Sequence, residues 1–225
     1  MKNLWKNIEL VIFDMDGLLL DTEKVSHITF KECCILFGEE FNLKLFESLI
    51  GRNNEDQIKI LNNFFSNNLN VIEFDNKWKE LFNIKLKEHV PVKKGIIEFL
   101  EMLNENDLNM VVATSAKTEI AERHLTKAKI RKFFSAIIGG DMIKNGKPKP
   151  DIYKKVLDNF SKNPSDCLVF EDSTNGVISA LNADLKVIHI PDYKKTKLYN
   201  RKKNYYYYEN LKKFIHKNPV IFSIS

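Results

Sequence analysis

The chain has 225 residues, of which 44% are hydrophobic and 29% are charged, and this composition excludes a disordered or fibrous protein. A chain of this length fits one large domain, or one domain that carries a smaller insertion. The net charge of +5 is mild; it favours anionic small molecules and does not by itself indicate nucleic acid. The 3 cysteines form no CxxC pair, which predicts reduced thiols in a cytoplasmic protein.

The N-terminal region predicts neither export nor a membrane span. Asp14 and Asp16 interrupt its apolar run before the core of a signal peptide could form. The other apolar runs are far shorter than the roughly 18 residues that a membrane helix needs. We therefore expect a cytoplasmic protein that does not bind a membrane.

The first predicted element is a buried strand at 9–13, and a helical region follows it. Residues 22–88 show helical periodicity and no convincing strand, which indicates a helical domain inserted after the first strand. Residues 91–95 contain a Pro and a Gly and form the predicted return linker. The predicted domains are therefore a core of 1–21 and 89–225 and a helical insertion of 22–88.

After the linker, apolar runs and helical patterns alternate along the chain. The predicted strands are 109–114, 135–140, 167–172 and 186–190, with a late strand at the aromatic run 205–208. The predicted helices are 96–103, 120–128, 152–160 and 177–181. This alternation indicates an α/β fold with a doubly wound parallel sheet of the Rossmann type.

Polar side chains follow several of these strands, where ligands bind in an open parallel sheet. In chain order they are Asp14 and Asp16 after the first strand, Thr114 and Ser115 after the second, Lys147 in the loop 145–151, and Glu171 and Asp172 in the run 167–172. Two carboxylates about 4 Å apart repel by about 4 kcal/mol at an effective dielectric near 20, so a cation is expected between them. Oxygen ligands of this kind suit Mg²⁺, which is usually held by one or two carboxylates and a substrate phosphate.

Four segments resemble the motifs of the haloacid dehalogenase (HAD) superfamily of phosphohydrolases, in the family's order. They are DMDGLLLDTE (14–23), VVATS (111–115), GKPKPDIY (146–153) and VFEDSTNGV (169–177). The helical insertion is similar to the α-helical cap of the β-phosphoglucomutase-like subgroup, and the first and fourth motifs look most like the pseudouridine-5'-phosphatase branch. The resemblance implies a Mg²⁺-dependent phosphatase that acts on a nucleoside or sugar phosphate through an aspartyl-phosphate.

The resemblance also implies a role for each matching residue of the core. Asp14 is the expected nucleophile and a Mg²⁺ ligand. Asp16 is the expected general acid and base, with its backbone carbonyl on the metal. Thr114 supplies the hydroxyl of the second motif, and the backbone at Ser115 helps to hold the phosphoryl oxygens. Lys147 neutralises charge on the nucleophile and the phosphate.

Two further metal residues and two cap residues follow from the same resemblance. Asp172 is the expected direct metal ligand, and Glu171 acts through water. The segment LIGRNNED (49–56) resembles the specificity loop of related caps, so Gly51 and Arg52 are candidate substrate contacts. An exposed arginine in a helix connection is an equal alternative for Arg52. The 5 histidines show no ligand spacing and are predicted to be structural.

Each core residue also has a plainer interpretation. Asp14 and Asp16 precede Gly17 and could belong to a turn, since Asp-Gly is a turn signal. Glu171 and Asp172 could cap the next helix, together with Ser173 and Asn175. The occurrence of all four motifs in one chain favours the catalytic interpretation.

Three other functions share features with this sequence: a phosphomutase, a phospho-receiver and a nucleic-acid-binding protein. Phosphomutases that resemble this chain carry a histidine where this sequence has Ser26, with His27 one position away, and this departure counts against a mutase. A non-catalytic phospho-receiver groups similar residues but is shorter and lacks a helical insertion. Nucleic-acid binding by the basic segment 193–203 is a weaker hypothesis than a solvated surface loop. The expected partner is a small phosphate ester, bound by a monomer.

Overall fold

The computed structural model describes residues 4–50, 52, 54–65, 69–192 and 203–218. The chain divides into two compact units, one formed by Met1–Leu20 with Pro91–Ser225 and the other by Asp21–Val90. We call the first the sheet unit and the second the helical unit. The division predicted at residues 21/22 and 88/89 lies within about two residues of these limits.

The described strands of the sheet unit form one parallel sheet. They are β1 (Leu10–Phe13), β2 (Asn109–Ala113), β3 (Ala136–Ile138), β4 (Cys167–Glu171), β5 (Lys186–His189) and β6 (Tyr205–Tyr207). Their order is β3-β2-β1-β4-β5-β6, so the chain builds outward from β1 to one side and then from β4 to the other. Phe13 at the end of β1 pairs with Val112 of β2 and with Phe170 of β4. The strand order therefore reverses between β1 and β4, and the predicted α/β class is confirmed.

Helices cover the sheet and explain why its central strands are buried along their whole length. The described helices of this unit are α5 (Ile96–Glu105), α6 (Thr118–Lys127), α7 (Asp151–Phe160), α8 (Thr174–Asn182) and α9 (Leu211–Lys217). All residues of β1 and β4 are buried, which is the pattern of a parallel sheet covered on both faces. Side chains of α7 and α8, including Tyr153 and Val177, lie in one core cluster with Ile12 and Val169.

The helical unit contains α1 (Thr22–Leu36), α2 (Leu43–Leu49), α3 (Asn54–Phe65) and α4 (Val71–Glu88). Two of these helices begin at asparagines whose side chains accept a backbone hydrogen bond from the first turn, Asn42 for α2 and Asn70 for α4. Aromatic rings dominate its core, where Phe30 and Trp78 lie with their centroids 4.9 Å apart. The periodicity of 22–88 thus produces a separate hydrophobic core.

The sequence prediction of elements was close, with one omission. Strand ends differ from prediction by one or two residues, and the predicted late strand is present as β6. Helix α9 was missed because it is short and buries only Leu211 and Phe214 among lysines. Among the described residues, Cys33, Cys34 and Cys167 are buried free thiols, and no helix there combines the length and hydropathy of a membrane span.

Helix α9 contributes more to the core than its length suggests. The Phe214 ring is fully buried and lies 5.0 Å from the ring of Phe170 in β4 and 5.9 Å from that of Trp5. An aromatic pair adds about 0.5–1.5 kcal/mol to the free energy of burial. The end of the described chain is therefore fixed to the central sheet.

We predict that Phe214→Ala lowers the free energy of unfolding by about 3–5 kcal/mol, because it removes a buried ring and leaves a cavity. Urea unfolding followed by circular dichroism would measure the loss. Ile97→Ala is the control, since Ile97 is 43% exposed, and we expect a change within about 0.5 kcal/mol. Equal losses in the two variants would contradict the proposed packing of α9.

Candidate active site

Two carboxylates lie where the strand order reverses, the usual ligand position in a doubly wound sheet. Asp14 is the first residue after β1, and its backbone N–H donates to the carbonyl of Phe170 in β4 at 3.0 Å. Asp172 is the first residue after β4. The adjacency of the two strands therefore brings together residues that are far apart in sequence.

Lys147 joins the ends of three strands. Its Nζ donates to Oδ1 of Asp14 at 2.5 Å, to Oε1 of Glu171 at 2.6 Å and to the carbonyl of Ala113 at 3.1 Å. The side chain of Lys147 is only 6% exposed. All three ammonium hydrogens thus have acceptors, one from each of the chain segments that end β1, β2 and β4.

The loop that carries Lys147 is fixed at both ends. Before Lys147, the backbone and side-chain N–H groups of Asn145 donate to Oδ2 of Asp151, the first residue of α7, at 3.1 and 2.9 Å. After it, the Ser179 hydroxyl of α8 donates to the carbonyl of Lys149 at 2.6 Å. The ammonium is therefore positioned by hydrogen bonds to two helices.

Glu171 is fully buried and accepts four hydrogen bonds. Besides Lys147, Oε1 accepts from the Tyr153 hydroxyl at 2.9 Å. Oε2 accepts from the backbone N–H and the hydroxyl of Ser173, both at 3.1 Å. A Cβ on Gly176 would lie 1.7 Å from Oε1, so the carboxylate occupies the space that a side chain would need there. The expected cap residue Ser173 does begin α8, since its hydroxyl accepts from the N–H of Gly176.

Asp172 is held by its backbone and by a close approach to the turn after β1. His189 is almost fully buried, and its Nε2 lies 3.0 Å from the carbonyl of Asp172. Since a carbonyl can only accept, Nε2 carries the hydrogen, and Nδ1 accepts from the Tyr205 hydroxyl at 2.9 Å. Gly17 has φ +83°, and a Cβ there would lie 2.3 Å from Oδ2 of Asp172. Gly17 is thus required both for its conformation and for space.

The site carries more negative than positive charge. Oxygens of Asp14, Glu171 and Asp172 lie within 4.8 Å of one another. Burial raises the pKa of Asp14 to about 7, with Lys147 opposing the rise and Glu171 adding to it. Burial, followed by the charges of Asp14 and Glu171, holds the pKa of Asp172 well above its ordinary value. Burial alone would lower the pKa of Lys147, but Asp14 and Glu171 raise it well above its usual range, so the ammonium stays charged.

Asp16, Thr114 and Ser115 lie at the same edge of the sheet unit. Asp16 is half-buried, and its charge helps to raise the pKa of Asp14. Thr114 is buried directly after β2, where its hydroxyl accepts from the N–H of Ala116 at 3.1 Å. Ser115 is exposed. The expected general acid and base role of Asp16 stays a prediction, as do the expected contacts of Thr114 and Ser115 with the phosphoryl oxygens.

The predicted substrate contacts of the helical unit and the basic segment are only partly covered by the described residues. Arg52 is exposed in the helical unit, and Gly51 lies outside the described residues. Residues 193–202 of the basic segment are also outside them. Two residues next to the site, Tyr153 and His189, have no assigned role in the sequence prediction. The Tyr at the end of GKPKPDIY is the signal that could have identified the first.

The donor set fits a hard divalent cation. The three clustered carboxylates supply oxygen atoms, and when ionised they carry more negative charge than Lys147 alone balances. Burial is the first cause of the raised pKa values of Asp14 and Asp172, and the neighbouring carboxylates add to it. Mg²⁺ prefers oxygen ligands and would supply that missing charge. Because Glu171 already accepts four hydrogen bonds, Asp14 and Asp172 are the better candidates for direct ligands.

Comparison with known proteins identifies the family. Residues 11–190 match the model of the haloacid dehalogenase-like hydrolases. The chain belongs to this family. The match covers all four motifs and confirms the family inferred from them. Together with relatives that are named as phosphatases, it confirms the expectation of an enzyme of the phosphoric monoester hydrolase class.

Individual members of the haloacid dehalogenase-like family agree with this assignment. The chain is 31% identical over 186 residues to a phosphorylated carbohydrates phosphatase of Thermotoga maritima, with 81% of this chain and 84% of that protein covered. It is 31% identical over 189 residues to a Drosophila melanogaster protein named "Probable pseudouridine-5'-phosphatase", with 80% of each covered. A crystal structure of a candidate β-phosphoglucomutase from Thermotoga maritima superposes with a TM-score of 0.70 at 28% identity, covering 88% of this chain and 89% of that one.

We predict that Asp14→Asn makes the metal-free protein progressively more stable than the wild type as pH rises. Between about pH 4 and about pH 7, folded Asp14 keeps a proton that the unfolded chain releases, so this carboxyl destabilises the fold as pH increases. The variant lacks that contribution, and the difference in free energy of unfolding grows by at most about 4 kcal/mol.

Urea unfolding in EDTA at about pH 5 and about pH 8 would measure this difference. Asp158→Asn, an exposed position on α7, is the matched control and should show no growing difference. If the difference in free energy of unfolding between the wild type and Asp14→Asn did not change with pH, the raised pKa of Asp14 would be contradicted.

Proposed function

We propose that the protein is a Mg²⁺-dependent phosphatase that hydrolyses a small phosphomonoester through a phosphorylated Asp14. The substrate class is a nucleoside or sugar phosphate, with pseudouridine 5'-phosphate among the candidates. The observation that carries the proposal is the buried ammonium of Lys147, shared between Asp14 and Glu171 at the reversal of strand order. The names of the two curated relatives support a phosphorylated small molecule as substrate.

An anionic substrate can approach this site only when cations offset the negative charge of the carboxylates. Asp14 and Asp172, with the backbone carbonyl of Asp16, are the proposed metal ligands, and Glu171 would act through water. Bound Mg²⁺ would neutralise negative charge on the carboxylates and the phosphoryl group. Lys147 neutralises the remaining charge on Asp14 from within the protein.

In the first half of the proposed reaction, a carboxylate oxygen of Asp14 attacks the phosphorus atom. The bond between phosphorus and the ester oxygen breaks, and its electrons go to the leaving alcohol. Asp16, in its protonated form, gives the alcohol its proton. The products of this half are the free alcohol, an acyl phosphate on Asp14 and an ionised Asp16.

In the second half, Asp16 takes a proton from water as the water oxygen attacks the same phosphorus atom. The bond between phosphorus and Asp14 breaks, which releases inorganic phosphate and restores the Asp14 carboxylate. Asp16 is again protonated and ready for the next substrate. Thr114, through its hydroxyl, and the backbone at Ser115 are the proposed contacts for the phosphoryl oxygens.

A phosphatase is favoured over a phosphomutase by the environment of His27. Its ring packs against Phe41 and Phe46, with centroid distances of 5.0 and 5.1 Å. His27 is thus half-buried against the aromatic rings of the helical unit, and Ser26 stands at the position of the mutase histidine. Incubation with a sugar 1-phosphate should therefore release phosphate and form no isomerised sugar phosphate.

We predict that Asp14→Asn reduces turnover of phosphomonoesters at least about a thousandfold, because the amide is a poor nucleophile and the acyl phosphate cannot form. A panel of pseudouridine 5'-phosphate, glycerol phosphates and hexose phosphates, assayed by phosphate release, would measure the loss and rank the substrates. Asp158→Asn is the control for a neutralised aspartate elsewhere on the same unit and should retain wild-type rates. Normal turnover by Asp14→Asn would refute the mechanism.

Arg52, together with Gly51, is proposed to contact the substrate beyond its phosphate. We predict that Arg52→Ala raises KM for the preferred substrate roughly five- to tenfold, the effect of about one lost hydrogen bond of ordinary strength, with kcat nearly unchanged. Lys59→Ala removes another exposed cation of the helical unit and is the control. If Arg52→Ala changed neither constant, or changed both as Lys59→Ala does, the substrate contact would be ruled out.

A further inference from the structure

Tyr153 places a hydroxyl beside the charged site from within the apolar core. It lies in the first turn of α7 and is fully buried among side chains of the central strands, including Ile12, Val111 and Val169. A buried phenol needs a hydrogen-bond partner, since an unpaired hydroxyl in such surroundings is costly. The Tyr153 hydroxyl donates to Oε1 of Glu171 at 2.9 Å.

The same oxygen also accepts from Lys147, so Tyr153 and Lys147 meet on one atom. The two distances to Oε1 are 2.9 Å from the Tyr153 hydroxyl and 2.6 Å from Lys147 Nζ. The Lys147 ammonium also lies 5.3 Å from the centroid of the Tyr153 ring, within the range of a cation–π contact. Tyr153 therefore touches both partners of the buried ion pair.

Lys147 is balanced between two carboxylates. Its Nζ lies 2.5 Å from Asp14 and 2.6 Å from Glu171. A donor on Oε1 withdraws negative charge from that oxygen and weakens its hold on the ammonium. If the donor is removed, the buried oxygen is left with an unfilled acceptor position, and its pull on Lys147 increases.

We propose that the Tyr153 hydroxyl is a positioning group of the phosphatase site, which limits the pull of Glu171 on Lys147 and so keeps the ammonium on Asp14. This inference rests on the proposed function, in which Lys147 neutralises the nucleophile. Tyr153 acts through Glu171 and has no role in the reacting atoms. A purely structural role would require only the ring, which fills the core.

Tyr153→Phe separates the two roles, because it keeps the ring and removes only the hydroxyl. Tyr208→Phe is the matched control: the Tyr208 hydroxyl accepts one hydrogen bond, from Asn218 at 2.9 Å, and its ring packs against Phe214. We expect kcat for a phosphomonoester to fall about tenfold in Tyr153→Phe, with KM within about twofold. Tyr208→Phe should leave both constants within about twofold of the wild type.

A double-mutant cycle tests whether Tyr153 acts through Glu171. In a Glu171→Gln background the charge that the hydroxyl restrains is gone, so Tyr153→Phe should cause little further loss of kcat. A merely structural hydroxyl would give the same loss in both backgrounds. Losses that multiply in the double variant would overturn the proposal, as would an unchanged kcat in Tyr153→Phe. A Tyr153→Phe protein that fails to fold would also overturn it, since the hydroxyl would then be needed for the fold.

Crystal structures of the wild type and Tyr153→Phe supply a readout independent of activity. We expect Lys147 Nζ to move toward Glu171 and its distance to Asp14 to exceed about 3.2 Å, the usual limit of a hydrogen bond. An unchanged distance would overturn the inference. If the wild type released no phosphate from any ester, the proposed function would fail, whereas the position of Lys147 would still decide what the Tyr153 hydroxyl does.

Discussion

The ion pairs of Lys147 with Asp14 and Glu171 are the interaction on which the candidate site depends. A buried ion pair stabilises a fold only when its geometry is good and its remaining hydrogen-bonding positions are filled, because removing charges from water costs several kcal/mol per ion. Here each ammonium hydrogen has an acceptor, and both Glu171 oxygens have two donors. Without Lys147, three carboxylates would be left close together, and among the described residues they would lose the cation that bonds two of them.

The topology of the sheet makes this arrangement possible. Because β1 lies between β2 and β4, the segments that follow these strands end side by side. The loop bearing Lys147 reaches them from the start of α7, and α8 fixes that loop through Ser179. The beginning of α8 also supplies Ser173 to Glu171, in space left open by Gly176. Hydrogen bonds that involve the ends of three strands and two helices thus determine where one ammonium lies.

The same arrangement lowers the stability of the metal-free fold, which is consistent with a catalytic site. Asp14 and Asp172 are buried beside other carboxylates, and their pKa values are raised above the ordinary range. Carboxylates placed in this way destabilise the metal-free fold at neutral pH; in the proposed function they would bind a divalent cation and, through it, an anionic ester. The strongly apolar core around Phe13, Phe170 and Phe214 supports the site against this cost.

The amino-acid sequence was sufficient to predict the alternation of strands and helices, the helical insertion, and the residues that are proposed to carry the chemistry. Periodicity is a local property of a chain, and the four motifs are short segments, so both can be read without the fold. The sequence did not predict α9, whose pattern contains too few apolar positions, or the contacts of Tyr153 and His189 with the site. Both looked like ordinary apolar or structural positions.

The pairing of hydrogen-bond donors with acceptors depends on the tertiary structure. Tyr153 reaches Glu171 from another element, and His189 reaches the backbone of Asp172 from the neighbouring strand. The partner of a buried hydroxyl or ring nitrogen depends on strand order and on helix placement, which bring together residues that are distant along the chain. Local patterns contain no information on these distances, so the polar network around Lys147 could be established only from the folded molecule.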